Sequence, residues 1–130
     1  MRHTNSGQFF ILGAIFAGLA VAAGAFGAHF LKSILDVPML AVYETGARYQ
    51  MYHALGLCFM SLASERYPRI RADAVGWLFT GGIVLFSGSL YGLSLSGIRW
   101  LGALTPLGGA AFITGWGLLA WGVWRSLRTA

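Results

Sequence analysis

The chain has 130 residues, of which 57% are hydrophobic and 10% charged, with a formal net charge of +5. Globular proteins carry about a quarter charged residues, and here the apolar excess sits in four uninterrupted blocks rather than at amphipathic spacing, which excludes a water-soluble domain and predicts one integral membrane domain over residues 1–130. Nucleic acid is excluded as the reason for the basic balance, because the arginines stand at the ends of the blocks, where loop charge sets membrane orientation.

The first block, Phe9 to Leu31, carries no formal charge, and as a helix it covers about 34 Å against a hydrocarbon core of about 30 Å. A cleaved signal peptide is the competing reading, since a basic start, an apolar run and small residues around Ala25 to Ala28 imitate one. The run is longer than the roughly 7 to 15 apolar residues of such signals, so a retained span is expected. Gly13, Ala17, Ala20, Gly24 and Gly27 alternate by four and three and form a small-residue seam, the surface by which helices approach closely in lipid.

The connection from Lys32 to Tyr43 contains Asp36, Pro38 and a Met39–Tyr43 run expected to lie in the interface as a short amphipathic helix. The second span, 44–64, is the odd one. Glu44, Arg48, Tyr49, Gln50, Tyr52 and His53 crowd its first half, and a central Arg or Asp costs about 2.5 to 3.5 kcal/mol on insertion scales. On a helical wheel Tyr49, Gln50 and His53 share one face, while Glu44, Arg48 and Tyr52 share the opposite one, with Glu44 and Arg48 at i, i+4. That pair reads as a snorkelling ion pair or, alternatively, as an Arg48 site for a lipid phosphate or anionic ligand. Cys58 has no intrachain partner and reads as a packed thiol.

The third span, 74–95, carries Gly81, Gly88 and Gly92 on one side and Thr80, Ser87, Tyr91 and Ser94 on a stripe suited to a bundle axis. The fourth, 100–124, repeats glycine every seven residues at Gly108, Gly115 and Gly122, is bracketed by Trp100, Trp121 and Trp124, and has Pro106 in its first turns. Short connections between spans require antiparallel neighbours. The expected fold is therefore all-α: an antiparallel four-helix transmembrane bundle. Counting Arg2, Arg66, Arg69, Arg71, Arg125 and Arg128 against Lys32, Arg48 and Arg99 places both termini in the cytoplasm.

Function rests on the polar residues inside the lipid. His29, Arg48, Tyr49, Gln50, His53, Ser87, Ser89, Tyr91 and Thr105 are expected to form one layer in the outer leaflet, a candidate ligand-binding site. His29 and His53 are the weak candidates for metal or bis-histidine haem ligation. No cysteine pair, carboxylate pair or His-x-x-x-His accompanies them, and the small-residue seams favour tight closure over an open haem cleft, so no cofactor is assigned. A serine and a histidine exist, but no buried acid orients that base and Gly-x-Ser-x-Gly is absent, so no catalytic residues are assigned.

Four segments, Gly24-Ala25-Phe26-Gly27-Ala28-His29, Tyr49-Gln50-Met51-Tyr52-His53-Ala54-Leu55, Leu85-Phe86-Ser87-Gly88-Ser89-Leu90-Tyr91 and Thr105-Pro106-Leu107-Gly108-Gly109, together resemble the domain-of-unknown-function 423 family of small bacterial inner-membrane proteins, which is also similar to eukaryotic transmembrane protein 256. The resemblance implies four spans and a bacterial plasma-membrane location, and supplies no catalytic residues. Phe30 stands where glycine usually follows the first histidine, which removes the residue best suited to a left-handed helix cap. The reading that needs least chemistry is a non-enzymatic accessory or small-ligand/lipid-binding module whose partners are the bilayer and a homo-oligomer or larger membrane complex. An oligomeric channel or small-solute transporter is the first alternative, and a bis-histidine haem or metal protein the second.

Overall fold

A computed structural model describes residues 3–129 and is entirely helical. Helix α1 spans His3–His29, α2 Val37–Arg66, α3 Ala72–Gly82, α4 Gly88–Ser96 and α5 Thr105–Arg128. A π turn, Ile83–Ser87, joins α3 to α4 into one long rod, and 3-10 turns cover Leu31–Ser33 and Arg99–Ala103. Three stretches are long and apolar enough to cross a membrane: Asn5–Ser33, Ala72–Ser96 and Arg99–Arg128. Helix α2 is not among them, because the polar residues in its first half dilute its apolar character.

Local chemistry sets the helix ends. Asp36 caps α2 by accepting a hydrogen bond from the Met39 amide at 2.8 Å, and Pro38 stands in the first turn, where its missing N–H costs nothing. The Met39–Tyr43 run is therefore the start of α2 rather than a separate interfacial helix, and the second helix begins seven residues before Glu44. At Phe30 the backbone stays right-handed, with φ −110°, and α1 runs on into a 3-10 turn. Helix α4 ends at Gly97, whose φ of 74° makes the left-handed cap that glycine adopts without strain.

Contacts fix the packing directions. Ser61 donates to the Ser6 carbonyl at 2.6 Å and Tyr43 to the Ala23 carbonyl at 2.7 Å, so α2 runs antiparallel to α1. Phe79 packs on Gly115 and Phe86 on Gly108, so α5 runs antiparallel to the α3–α4 rod. The rod lies antiparallel to α2, with Phe79 against Gly56 and Tyr91 against Gly46. Leu57, Met60, Val75 and Phe79 are wholly buried where these helices meet, with Phe112 and Leu119 beside them.

The glycine seams are only partly those of the sequence. Gly108, Gly115 and Gly122 all serve as contacts, and a Cβ at Gly115 would lie 2.6 Å from the Phe79 ring. In α1, Gly13 and Gly27 pack on α2, whereas Gly24 faces open space. In the third span Gly81 and Gly88 also face open space. Gly76 and Gly82 make the contacts instead, receiving the rings of Phe9 and Phe112. Helix α2 also uses Gly46 and Gly56.

The N-terminal end of α1 meets the basic end of the molecule. Asn5 donates to Asp73 at 3.0 Å, and the Arg69 amide donates to the Ser126 hydroxyl at 3.1 Å. Arg66, Arg69, Arg71, Arg125 and Arg128 share this end, while Lys32 and Arg99 lie at the other. Arg2 lies outside the described residues.

Candidate functional site

Gln50 is the centre of the polar layer. Buried on α2, it donates from Nε2 to the Phe16 carbonyl of α1 at 2.9 Å and accepts at Oε1 from the Tyr91 hydroxyl of α4 at 2.7 Å. One side chain thus ties three helices. The Tyr91 ring lies 5.2 Å from that of Tyr43. Ser87, almost wholly buried at the end of the π turn, donates to the Gly46 carbonyl at 2.7 Å, a bond that the bare glycine surface leaves room for.

One helical turn below Gln50, His53 is buried between rings. Phe112 stacks on it with centroids 3.4 Å apart and planes 7° from parallel, and Phe79 meets it edge-on at 5.4 Å. Its Nδ1 is 2.8 Å from the Tyr49 carbonyl and its Nε2 is 3.0 Å from the Trp116 indole nitrogen. A carbonyl only accepts and an indole N–H only donates. The ring is therefore the neutral tautomer with its proton on Nδ1, and both nitrogens are engaged.

On the α4–α5 side Ser89 donates to the Phe86 carbonyl at 2.9 Å, and its oxygen lies 2.7 Å from the Thr105 hydroxyl. With the Ser89 proton committed to Phe86, Thr105 is the donor to Ser89. Ser94 bonds back to the Tyr91 carbonyl. Thr80, on the far side of the π turn, makes no bond to the rest of its expected stripe, its buried hydroxyl having no hydrogen-bond partner among the described residues.

Six of the nine residues singled out on the sequence, Gln50, His53, Ser87, Ser89, Tyr91 and Thr105, thus bond to protein groups in the interior. Tyr49 is partly exposed and supplies its carbonyl to His53 and its ring to Phe86, at 4.7 Å. His29 and Arg48 lie elsewhere. His29 is exposed at the end of α1, past Gly27, which packs on Tyr43. Tyr43 is ten residues from His53, so the two histidines stand about 15 Å or more apart along the axis and do not converge. Arg48 faces outward, 3.9 Å from Glu44, with 64% of its side chain exposed. Nor do the nine share one depth. Trp100 and Trp124 bracket Phe112 midway, and Phe112 stacks on His53, so His53 is level with the middle of the last helical stretch and not with His29. Among the described residues no three His, Cys, Asp or Glu side chains group together.

Trp116, Tyr43 and the backbone of Phe16 and Gly46 complete the layer and were missed. Trp116 carried a signal: an indole well inside a span needs an acceptor. The backbone acceptors carried none.

Two grooves open on the outside. One, of about 420 Å³, runs between α1 and α3, with Asn5, Gln8 and Asp73 at its rim and Ile11, Leu12, Ile15 and Trp77 along its walls. The other, of about 340 Å³, lies between α1 and α2 beside Glu44 and Arg48, over Ala20 and Gly24.

Residues 23–109 match the family model described as "Protein of unknown function (DUF423)". The chain belongs to this family. It is 50% identical over 117 residues to a UPF0382 membrane protein of Staphylococcus saprophyticus, covering 90% of this chain and 97% of the relative. It is 53% identical over 109 residues to the UPF0382 membrane protein YwdK of Bacillus subtilis, covering 83% and 89%. No solved structure matches. The membrane assignment agrees with the names of these bacterial relatives, and every residue of the polar layer except Phe16 and Trp116 falls within the stretch that defines the DUF423 family.

Proposed function

We propose that this DUF423 member is a four-pass protein of the bacterial plasma membrane, with both termini in the cytoplasm, that works without catalysis as an accessory module holding one lipid-like amphiphile. Three apolar stretches are long enough to cross, and α2, antiparallel to α1 and to the α3–α4 rod, supports the fourth crossing. Five arginines at the N-terminal end of α1 against Lys32 and Arg99 at the other end support cytoplasmic termini.

The observation that carries the binding reading is the α1–α3 groove. In the polar layer each side chain of the network already has a protein partner, which makes it a fastening between helices. The groove instead joins a hydrogen-bonding rim to an apolar wall, the division of an amphiphile. Asp73 accepts from Asn5 at one oxygen, and its other oxygen suits a donor-bearing headgroup, with the chain along Ile11, Ile15 and Trp77.

Native mass spectrometry of the protein released from lipid nanodiscs tests this. The wild type is expected to keep one phospholipid, and Asp73→Asn and Trp77→Ala to lose it several-fold more readily while still folded. Equal retention in wild type and both variants refutes the groove.

A further inference from the structure

Among the described residues, Glu44 and Arg48 are the formally charged side chains that stand inside a helix rather than in its end turns. Arg48 is five residues from His53, about 7 Å along the axis from the level midway between Trp100 and Trp124, and the hydrocarbon half-thickness is about 15 Å. Both side chains nevertheless point outward, Arg48 64% and Glu44 47% exposed, and their mutual contact is a long 3.9 Å. An intramembrane arginine ordinarily faces a bundle interior or a polar partner. Among the described residues Glu44 is the polar side chain that Arg48 meets.

The same face continues toward the basic end as Tyr52, Leu55, Phe59 and Leu62, each more than half exposed. From Arg48 these positions step by four, three, four and three, the seam of a left-handed pair of parallel helices. Beside the seam Ala20 and Gly24 floor the α1–α2 groove, and Gly24 has nothing within 4 Å of where a Cβ would be, so a neighbouring helix has room to approach.

The charges name the occupant. One face presents an acid and a base one turn apart, and a two-fold axis along the membrane normal brings that face against itself with each acid near the other copy's base. We infer that the outer face of α2 is a self-association surface, on which two copies inserted the same way pair Glu44 of each with Arg48 of the other. The inference rests on the four-pass topology proposed above and is independent of the α1–α3 groove.

The test uses full-length copies carrying two different tags, co-expressed and co-captured from the same membranes. Wild-type copies capture each other. Arg48→Glu alone and Glu44→Arg alone each set like charges across the axis and lower self-capture by about tenfold or more. Co-expressing the Arg48→Glu chain with the Glu44→Arg chain restores capture, which no ion pair within one chain produces. In a Cys58→Ser background, Leu55→Cys crosslinks between copies, whereas Val84→Cys on the exposed face of the rod does not. The inference is overturned by wild-type copies that do not co-capture, by single variants that capture themselves as well as wild type, by a mixed pair that fails to recover, or by the reverse crosslinking pattern. A monomer retaining a phospholipid that Arg48→Glu releases gives the face to lipid instead. Reporters on both termini in the same cells read topology separately, so lost pairing with cytoplasmic termini refutes the α2 surface alone.

Discussion

Replacing Gln50 by Leu removes both bonds that tie α2 to α1 and α4. Interhelical side-chain hydrogen bonds inside membranes contribute about 0.6 kcal/mol on average and at most about 1.7, so two of them set an expected loss of about 1 to 3 kcal/mol. The Phe16 carbonyl keeps its place in the α1 ladder, but the Tyr91 hydroxyl, 2.7 Å from Gln50 Oε1, is left without an acceptor. Tyr91→Phe alone removes one bond and orphans one amide oxygen. In the double variant neither partner is orphaned, and its loss should fall short of the sum of the single losses by about 0.6 to 1.7 kcal/mol. Reversible denaturant unfolding in mixed micelles or bicelles, followed for all four proteins, supplies the cycle. Losses that add within about 0.5 kcal/mol would show that this bond carries no energy and that the layer does not fasten the helices.

Three further outcomes follow from the geometry. Gly13→Ala and Gly115→Ala, whose new Cβ atoms would sit 2.6 Å from the Ala54 carbonyl oxygen and the Phe79 ring, should each destabilise by about 1 to 3 kcal/mol, whereas Gly81→Ala and Gly88→Ala, which meet nothing, should be neutral or slightly stabilising in the same unfolding assay. Trp116→Phe should cost about 1 to 3 kcal/mol by leaving His53 Nε2 unpaired in a buried site; if His53→Phe in that background adds a full further loss, the indole bond is not the source. Reporter domains active only in the cytoplasm should be active when fused to either terminus, and activity on one side only would refute the charge-based orientation.

How far the sequence was legible depended on whether a residue acts through bulk hydropathy or through a particular neighbour. Block lengths located the apolar stretches, and the seven-residue glycine repeat of α5 identified its buried face correctly. The same reasoning failed for Gly81 and Gly88, which both face open space while Gly76 and Gly82 take the contacts, because helical periodicity groups residues on a side without saying which side meets a neighbour. Gln50 and His53 were legible as polar groups needing enclosure. Their bonds to the carbonyls of Phe16 and Tyr49 were not, since every residue offers a carbonyl and only register chooses between them. Arg48 was grouped with them by expected depth, although the wheel already set it on the face opposite Gln50, and it is that face that points outward.

Register is also what the polar residues of α2 supply. Apolar packing between α1 and α2 is tolerant of sliding, since in lipid a helix surface gains little by burial alone. Three bonds to backbone carbonyls of α1 remove that tolerance: Ser61 to Ser6, Gln50 to Phe16 and Tyr43 to Ala23, spread over most of both helices. A slip by one turn breaks all three together and drives Leu57 and Cys58 out of the notch at Gly13. Two groups of the α1–α2 pair then wait for helices made later, Gln50 Oε1 for Tyr91 and His53 Nε2 for Trp116. The helix that is too polar to qualify as a span by composition is thus the one to which the others are referenced, and its polarity is explained by alignment on its inner faces, leaving the exposed Glu44 and Arg48 as the charges that alignment does not use.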